Sequence, residues 1–272
     1  MSEQRYQHYS LRHRLVAWIS QTAFDRVTYT VNHGILRGMR RRGGLGWLPE
    51  WITGRDESAE HRFFRELEQE LDGKVVYDVG AFIGLFAMIC ARRARTVVCY
   101  EPLLRNRERL EINLGLNNIR NVLVRPFGIG RAKATLEMQV DPLMPGGASL
   151  SADIGRGIAE GSRHSERFSV QITTLDDDII DASLSPPDLI KIDIEGFELD
   201  ALHGAAGTIR AHKPMLYLEM HGETLEEKRR NVVAILQFLE GAGYSDILHI
   251  ESRSVVTSTA CDVAANGHLF CR

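Results

Sequence analysis

Short apolar runs alternate with longer amphipathic stretches through the middle of the chain. Val75–Val79, Thr96–Tyr100 and Asn121–Arg125 read as strands, and the segments between them, Gly84–Arg93 and Arg105–Leu114, carry helical spacing. Upstream, "ESAEHRFFRELEQELDG" predicts a helix: Ser58 is the N-cap, Phe63, Phe64, Leu67 and Leu71 form the stripe, and Gly73 ends it. Downstream, Lys133–Val140 and Arg167–Leu175 read as strands flanking the Gly- and Ser-rich segment 142–166, which reads as a mobile loop ordering over a substrate. "LIKIDIEG" (Leu189–Gly196) and "MLYLEMHG" (Met215–Gly222) are buried strands ending in acids. Helices follow from Glu198 and from Thr224, and "YSDILHIE" and "GHLFCR" form a closing strand pair. "DDD" (Asp176–Asp178) reads as a helix start, where negative charge is favourable.

This alternation predicts an α/β fold with a mostly parallel sheet covered on both faces. Residues 57–272 form that domain, and 1–56 form an N-terminal extension on the acceptor side or at an oligomer contact. In the extension, Leu11–Val31 reads as a helix and Ile35–Gly54 as strand or loop.

Composition narrows the class. The 272 residues carry a net charge of −3, which argues against a nucleic-acid partner. Charge is uneven: the first 55 residues hold nine Arg against three acids, leaving the remainder strongly acidic. The cluster Arg40–Arg42 reads as a solvated loop, or as a contact to an anionic acceptor or a membrane surface. Trp47 and Trp51 are candidates for core packing or for stacking on a sugar ring. Four Cys without C-x-x-C spacing imply neither a zinc site nor a disulfide framework. No apolar run reaches the roughly 18–20 residues that span a bilayer, and no signal-peptide pattern opens the chain, so a soluble, cytoplasmic protein is expected.

In open α/β sheets ligands bind beyond the carboxyl ends of strands. Three predicted strands end in polar groups: Asp78 with Gly80, Asp193 with Glu195, and Glu219 with His221, and Glu101 follows a fourth. Gly80 and Gly84 permit a tight turn and close approach of a ligand. Glu101 sits near the spacing at which an acid meets ribose hydroxyls. A dinucleotide fits poorly, because Phe82 crowds a phosphate and Asp78 repels it. S-adenosylmethionine, with ammonium, sulfonium and ribose but no phosphate, fits better, and Asp78 can face its amino-acid end directly or through water. A nicotinamide-dependent oxidoreductase and a non-catalytic protein retaining the fold are the competing classes.

"VVYDVGAFIG", "YEP", "LIKIDIEGFELDALHGA" and "LYLEMHG" together resemble the FkbM family of S-adenosylmethionine-dependent methyltransferases over roughly residues 57–222. "KIDIEGFE" is the most specific element. The resemblance implies a class I, Rossmann-like methyltransferase fold with seven strands, and O-methylation of hydroxyls on sugars, glycolipids or secondary metabolites. It implies that Asp78, Gly80, Ala81 and Gly84 line the methionine and ribose side, that Glu101 binds the ribose, that Phe127 and Gly128 lie near adenine, and that Asp193 faces the methyl group or the acceptor. Phe82 and Ala87 depart from the family's frequent Asn and Thr.

Methyl transfer to a hydroxyl needs alignment and removal of a proton. Asp193, Glu219 and His221 are the candidate catalytic groups, with a neutral His221 imidazole as base. Glu195 either joins them or holds the following turn through backbone N–H groups, and His164 is an exposed loop residue or an acceptor contact. Asp193 and Glu219 are also potential ligands for a divalent cation, but the expected mechanism does not require one.

Overall fold

The computed structural model describes residues 24–44, 58–141, 148–161 and 165–272. Trp47, Trp51, His164 and the expected helix before residue 24 lie outside them. The strands in chain order are β1 (Thr28–Thr30), β2 (Arg40–Arg42), β3 (Val75–Val79), β4 (Thr96–Tyr100), β5 (Val122–Arg125), β6 (Gly128–Ile129), β7 (Ala134–Val140), β8 (Ala148–Ser149), β9 (Glu166–Thr173), β10 (Leu189–Ile192), β11 (Met215–Glu219), β12 (Ile247–His249), β13 (Ser254–Val255) and β14 (His268–Cys271).

The main sheet runs β13-β12-β14-β11-β10-β3-β4-β5. Its β11, β10, β3, β4 and β5 are mutually parallel, whereas β14 is antiparallel to β11 and to β12. The expected parallel centre and closing pair are both present. The expected strand count of seven becomes eight, because two-residue β13 adds to the edge. Such a short strand leaves no apolar alternation to read. A second sheet, β6-β9-β7-β8, stands beside the first.

Helices cover both faces of the main sheet. The side carrying Val76, Val97, Cys99, Leu189 and Tyr217 packs on Phe64, Leu67 and Phe86, while the side carrying Val75, Tyr77, Ile190 and Leu218 packs on Leu202, Ile209, Val232 and Leu236. Helix Ala59–Gln69 starts at Ser58, whose side chain accepts from His61 N, as the sequence predicts. Helix Leu225–Gly241 opens with a capping box between Thr224 and Glu227. The aspartate run does begin a helix, Leu175–Asp181, capped by Thr174.

Two expectations fail. Residues 28–30, read as the end of a helix, pair antiparallel with Arg40–Arg42. Polar Thr28 and Thr30 flanking Tyr29 favour an extended hairpin, and Asn113 and Asn117 accept from the N–H groups of Arg42 and Arg40 and fasten it to helix Leu104–Leu116. Arg41 and Arg42 are therefore half-buried strand residues, not a solvated loop. The segment read as a mobile loop contains β8 and helix Ala152–Gly161. Ile154 and Ile158, four residues apart, form that helix's buried apolar face, which the surrounding glycines hide from a periodicity reading. Among the described residues no helix is long and apolar enough to cross a membrane.

Candidate active site

The site is assembled at the carboxyl ends of β3, β4, β10 and β11. After β3 the chain turns through three left-handed residues, Gly80 (φ 83°), Phe82 (φ 50°) and Gly84 (φ 84°). Gly80 is obligatory: a Cβ there would sit 1.9 Å from the Asp193 carbonyl oxygen, so this turn passes directly against the end of β10. The N–H groups of Gly80 and Ala81 both donate to Tyr100 O, and Phe82 N–H donates to Glu101 Oε2 at 3.0 Å. Glu101 also accepts from Leu103 N–H (2.9 Å) and Asn106 Nδ2 (3.1 Å) on Oε1. Burial pushes its carboxyl up to about 7, against these three donors, which favour the ionised form.

A cleft opens beside this turn. Gly80, Phe82, Glu101, Asn106, Asp193 and Glu195 line one side, and Gly128, Ile129, Met138 and Ala148 of the second sheet, with Leu150 just beyond β8, line the other. Of the residues expected to bind the cofactor, Gly80, Glu101, Gly128 and Asp193 line this cleft. Asp78, Ala81, Gly84 and Phe127 do not line it. Asp78 is fully buried behind the turn, with Lys191 Nζ 3.5 Å from Oδ1. Burial raises its carboxyl, Lys191 opposes the rise, and Asp193 adds to it. Ala81 packs into the core, Gly84 caps helix Leu85–Cys90, and Phe127 packs on the core with the Arg125 guanidinium over its ring.

Lys191 is the group that sequence reading missed. It is 6% exposed within "LIKI", and its ammonium also meets Asp193 Oδ2 at 3.0 Å. Burial would lower its pKa, but Asp193 and Asp78 raise it further, so it is a buried cation between two aspartates. The signal was a charge inside an otherwise apolar strand, which is tolerated only when paired.

The expected convergence of Asp193, Glu219 and His221 is present. His221 is 2% exposed, and its Nε2 lies 3.4 Å from Glu195 Oε2, 3.4 Å from Glu219 Oε1 and 3.9 Å from Asp193 Oδ1. Its Nδ1 bonds Glu198 Oε1 at 2.9 Å. Glu198 also accepts from the Ile194 and Gly196 N–H groups, so Glu198 rather than Glu195 holds the turn after β10. Glu195 itself adopts a left-handed conformation (φ 53°), an uncommon state for a residue with a side chain, and this aims its carboxylate at the cleft and His221. A neutral imidazole does not suit this setting: burial would lower the His221 pKa, but Glu198, Glu219 and Glu195 together hold it well above the ordinary value. Beyond Glu219, His268 lies between Glu219, Glu60 and Glu251, with Nδ1 2.6 Å from Glu251 Oε1.

The acid-lined cleft suits a ligand whose charge is positive and whose sugar offers hydroxyl donors. Residues 78–245 match the model of the methyltransferase FkbM domain. The chain belongs to the FkbM methyltransferase family. Relatives of the chain include "Methyltransferase 1" of Beauveria bassiana, 28% identical over 146 residues (49% of this chain, 59% of the relative). Another is the hexuronic acid methyltransferase AglP of Haloferax volcanii, 31% identical over 152 residues (53% of this chain, 55% of the relative). The matched segments thus span little more than half of these relatives. The crystal structure of methyltransferase FkbM from Methylobacillus flagellatus is similar in fold, with a TM-score of 0.50 and 21% identity over 84% of this chain and 51% of that one.

Proposed function

We propose that this FkbM-family chain is an S-adenosylmethionine-dependent O-methyltransferase that acts on a hydroxyl of a sugar, glycolipid or secondary metabolite. The observation that carries the reading is the sharing of Asp193 and Glu195: both line the cleft that Glu101 borders, and both face the carboxylate cluster around His221. A cofactor pocket and a proton-handling group therefore meet at one wall. The similarity to a protein named for hexuronic acid methylation supports a saccharide acceptor.

The residues fit the cofactor. Glu101 has lone pairs left after its three donors and borders the cleft, as a ribose diol requires. Asp193 and Glu195 give the opposite end a negative rim, suited to ammonium and sulfonium and hostile to a pyrophosphate. Bound S-adenosylmethionine supplies an electrophilic methyl group on sulfur. The chain's own work is to exclude water, to align an acceptor oxygen and to accept its proton. A carboxylate of Asp193 or Glu195 takes that proton, since both open to the cleft while His221 is held as a cation. Asp78 and Lys191 serve from below by fixing Asp193. Strand β8 and helix Ala152–Gly161 cover the acceptor side, and exposed Arg40 offers a secondary contact to an anionic acceptor or membrane surface.

The test is transfer of a labelled methyl group from S-adenosylmethionine to a panel of glycans, glycolipids and polyketides. Label in a saccharide fraction, released as a methyl ether on hydrolysis, is the expected result. Transfer only to protein, nucleic acid or nitrogen acceptors contradicts it.

A further inference from the structure

We propose that Asp193 Oδ1, Glu219 Oε1 and His221 Nε2 bind a divalent metal ion of the Mn²⁺ type. One ligand atom from each residue comes within 4.8 Å of the other two, a triangle that small side-chain rotations contract around an ion with bonds of about 2.0–2.3 Å.

Clustered acids alone would not single out an ion. The second observation is His221. Its Nε2 is buried, lacks a hydrogen-bond partner, and points into the carboxylates. An orphaned buried ring nitrogen is costly unless something occupies the space before it. The other nitrogen is held by Glu198 at 2.9 Å. That carboxylate fixes the ring and keeps the Nδ1 proton, so that an ion entering the cluster displaces only the Nε2 proton and takes that nitrogen, the arrangement that orients metal-bound imidazoles generally.

The remaining oxygens of the two acids have other cations. Asp193 Oδ2 pairs with Lys191 Nζ at 3.0 Å, and Glu219 Oε2 lies 3.7 Å from His268 Nε2. The oxygens turned toward His221 are thus the ones left for an ion. Two carboxylates favour a hard cation and one imidazole favours a transition metal, a mixed set that suits Mn²⁺ better than Ca²⁺.

The site deepens the methyltransferase reading and rests on it for its role. Asp193 lies at the wall of the cleft, so the ion faces the acceptor. A metal-bound hydroxyl is more acidic; as its oxygen bonds to the methyl carbon, the carbon–sulfur bond breaks, S-adenosylhomocysteine leaves and the proton passes to Glu195. This makes ligands of two acids that the sequence offered to a divalent cation without requiring one, and adds His221 to them.

Mn²⁺ alone is the probe. Full-length chain, stripped with chelator, is titrated with Mn²⁺ while the electron paramagnetic resonance signal of the free ion is followed. One ion per chain is expected, with affinity at least tenfold weaker in Asp193→Asn, Glu219→Gln and His221→Gln. S-adenosylhomocysteine binding, measured on the same samples, separates the two claims. Wild type that binds S-adenosylhomocysteine but leaves the Mn²⁺ signal unchanged overturns the metal site and spares the function. Wild type that sequesters Mn²⁺ but not S-adenosylhomocysteine keeps the site and sinks the function. Circular dichroism confirms folding of each variant. Folded variants that sequester Mn²⁺ as wild type does also overturn the assignment.

Discussion

Replacing Glu101 with glutamine removes a charge but nearly keeps the side chain's shape. In the wild type Oε1 accepts two hydrogen bonds and Oε2 accepts one, from Phe82 N–H. An amide oxygen placed at Oε1 keeps the first two, and the NH₂ group then faces the Phe82 N–H, donor against donor. Leaving that N–H unsatisfied costs about 1–3 kcal/mol. An opposing effect comes from ionisation. The folded carboxyl titrates at about 7 instead of 4.5, so the native state binds the proton more tightly than the unfolded chain. Stability from this group is therefore greatest below pH 4.5 and falls as pH rises to about 7, by about 3 kcal/mol in all. Glutamine escapes that fall. Urea denaturation should find Glu101→Gln less stable than wild type by about 1–3 kcal/mol at pH 5 and within about 1 kcal/mol at pH 8. Affinity for S-adenosylhomocysteine should drop at pH 8, since charge-assisted bonds to the diol are worth about 1.5–3 kcal/mol, and the difference should close toward pH 5, where the wild-type carboxyl is protonated too. In wild type that affinity should itself fall about tenfold from pH 8 to pH 6, as the carboxylate protonates. Equal affinity in variant and wild type at pH 8, or a stability difference that ignores pH, would refute the reasoning.

Other changes test the frame around the cleft. Lys191→Met leaves Asp78 buried without its counter-charge and should cost about 3–5 kcal/mol in denaturant unfolding at neutral pH, shrinking as acid protonates Asp78; unchanged stability would contradict the buried pair. Gly80→Ala should yield little folded protein, because the new Cβ meets backbone 1.9 Å away. Gly128→Ala, whose Cβ crowds the end of the Ile172 side chain at 2.6 Å and no backbone, should lose no more than about 2 kcal/mol in thermal unfolding, so equal outcomes for the two glycines would undo this contrast. Ile158→Ala removes half of a two-residue buried cluster and should destabilise by about 2–5 kcal/mol, whereas a negligible change would return the segment to the mobile loop read from sequence.

The parallel centre of the sheet was legible because four buried strands and the β5 edge each carry a compact apolar run, and the strand ends were legible because acids there serve no packing purpose. Glu101, Asp193, Glu219 and His221 followed from that rule. The residues that set their chemistry did not. Glu198 reads as an ordinary helix-start acid, yet it fixes both the β10 turn and the His221 ring. Lys191 is hidden inside an apolar strand, and its partners, Asp78 and Asp193, come from two different strands. His221 was read with the ordinary pKa of its type, and only the fold reveals the carboxylates gathered around it. The β1–β2 hairpin depends on Asn113 and Asn117, more than 70 residues away, a contact that no local pattern encodes.

The central claim is that the cleft between the strand ends and the second sheet receives a cofactor with a positive centre and no phosphate. Calorimetric titration of the full chain with S-adenosylhomocysteine and, separately, with NAD⁺ tests it most directly. The account predicts one S-adenosylhomocysteine per chain and no heat from NAD⁺; saturable NAD⁺ binding with none for S-adenosylhomocysteine would contradict it.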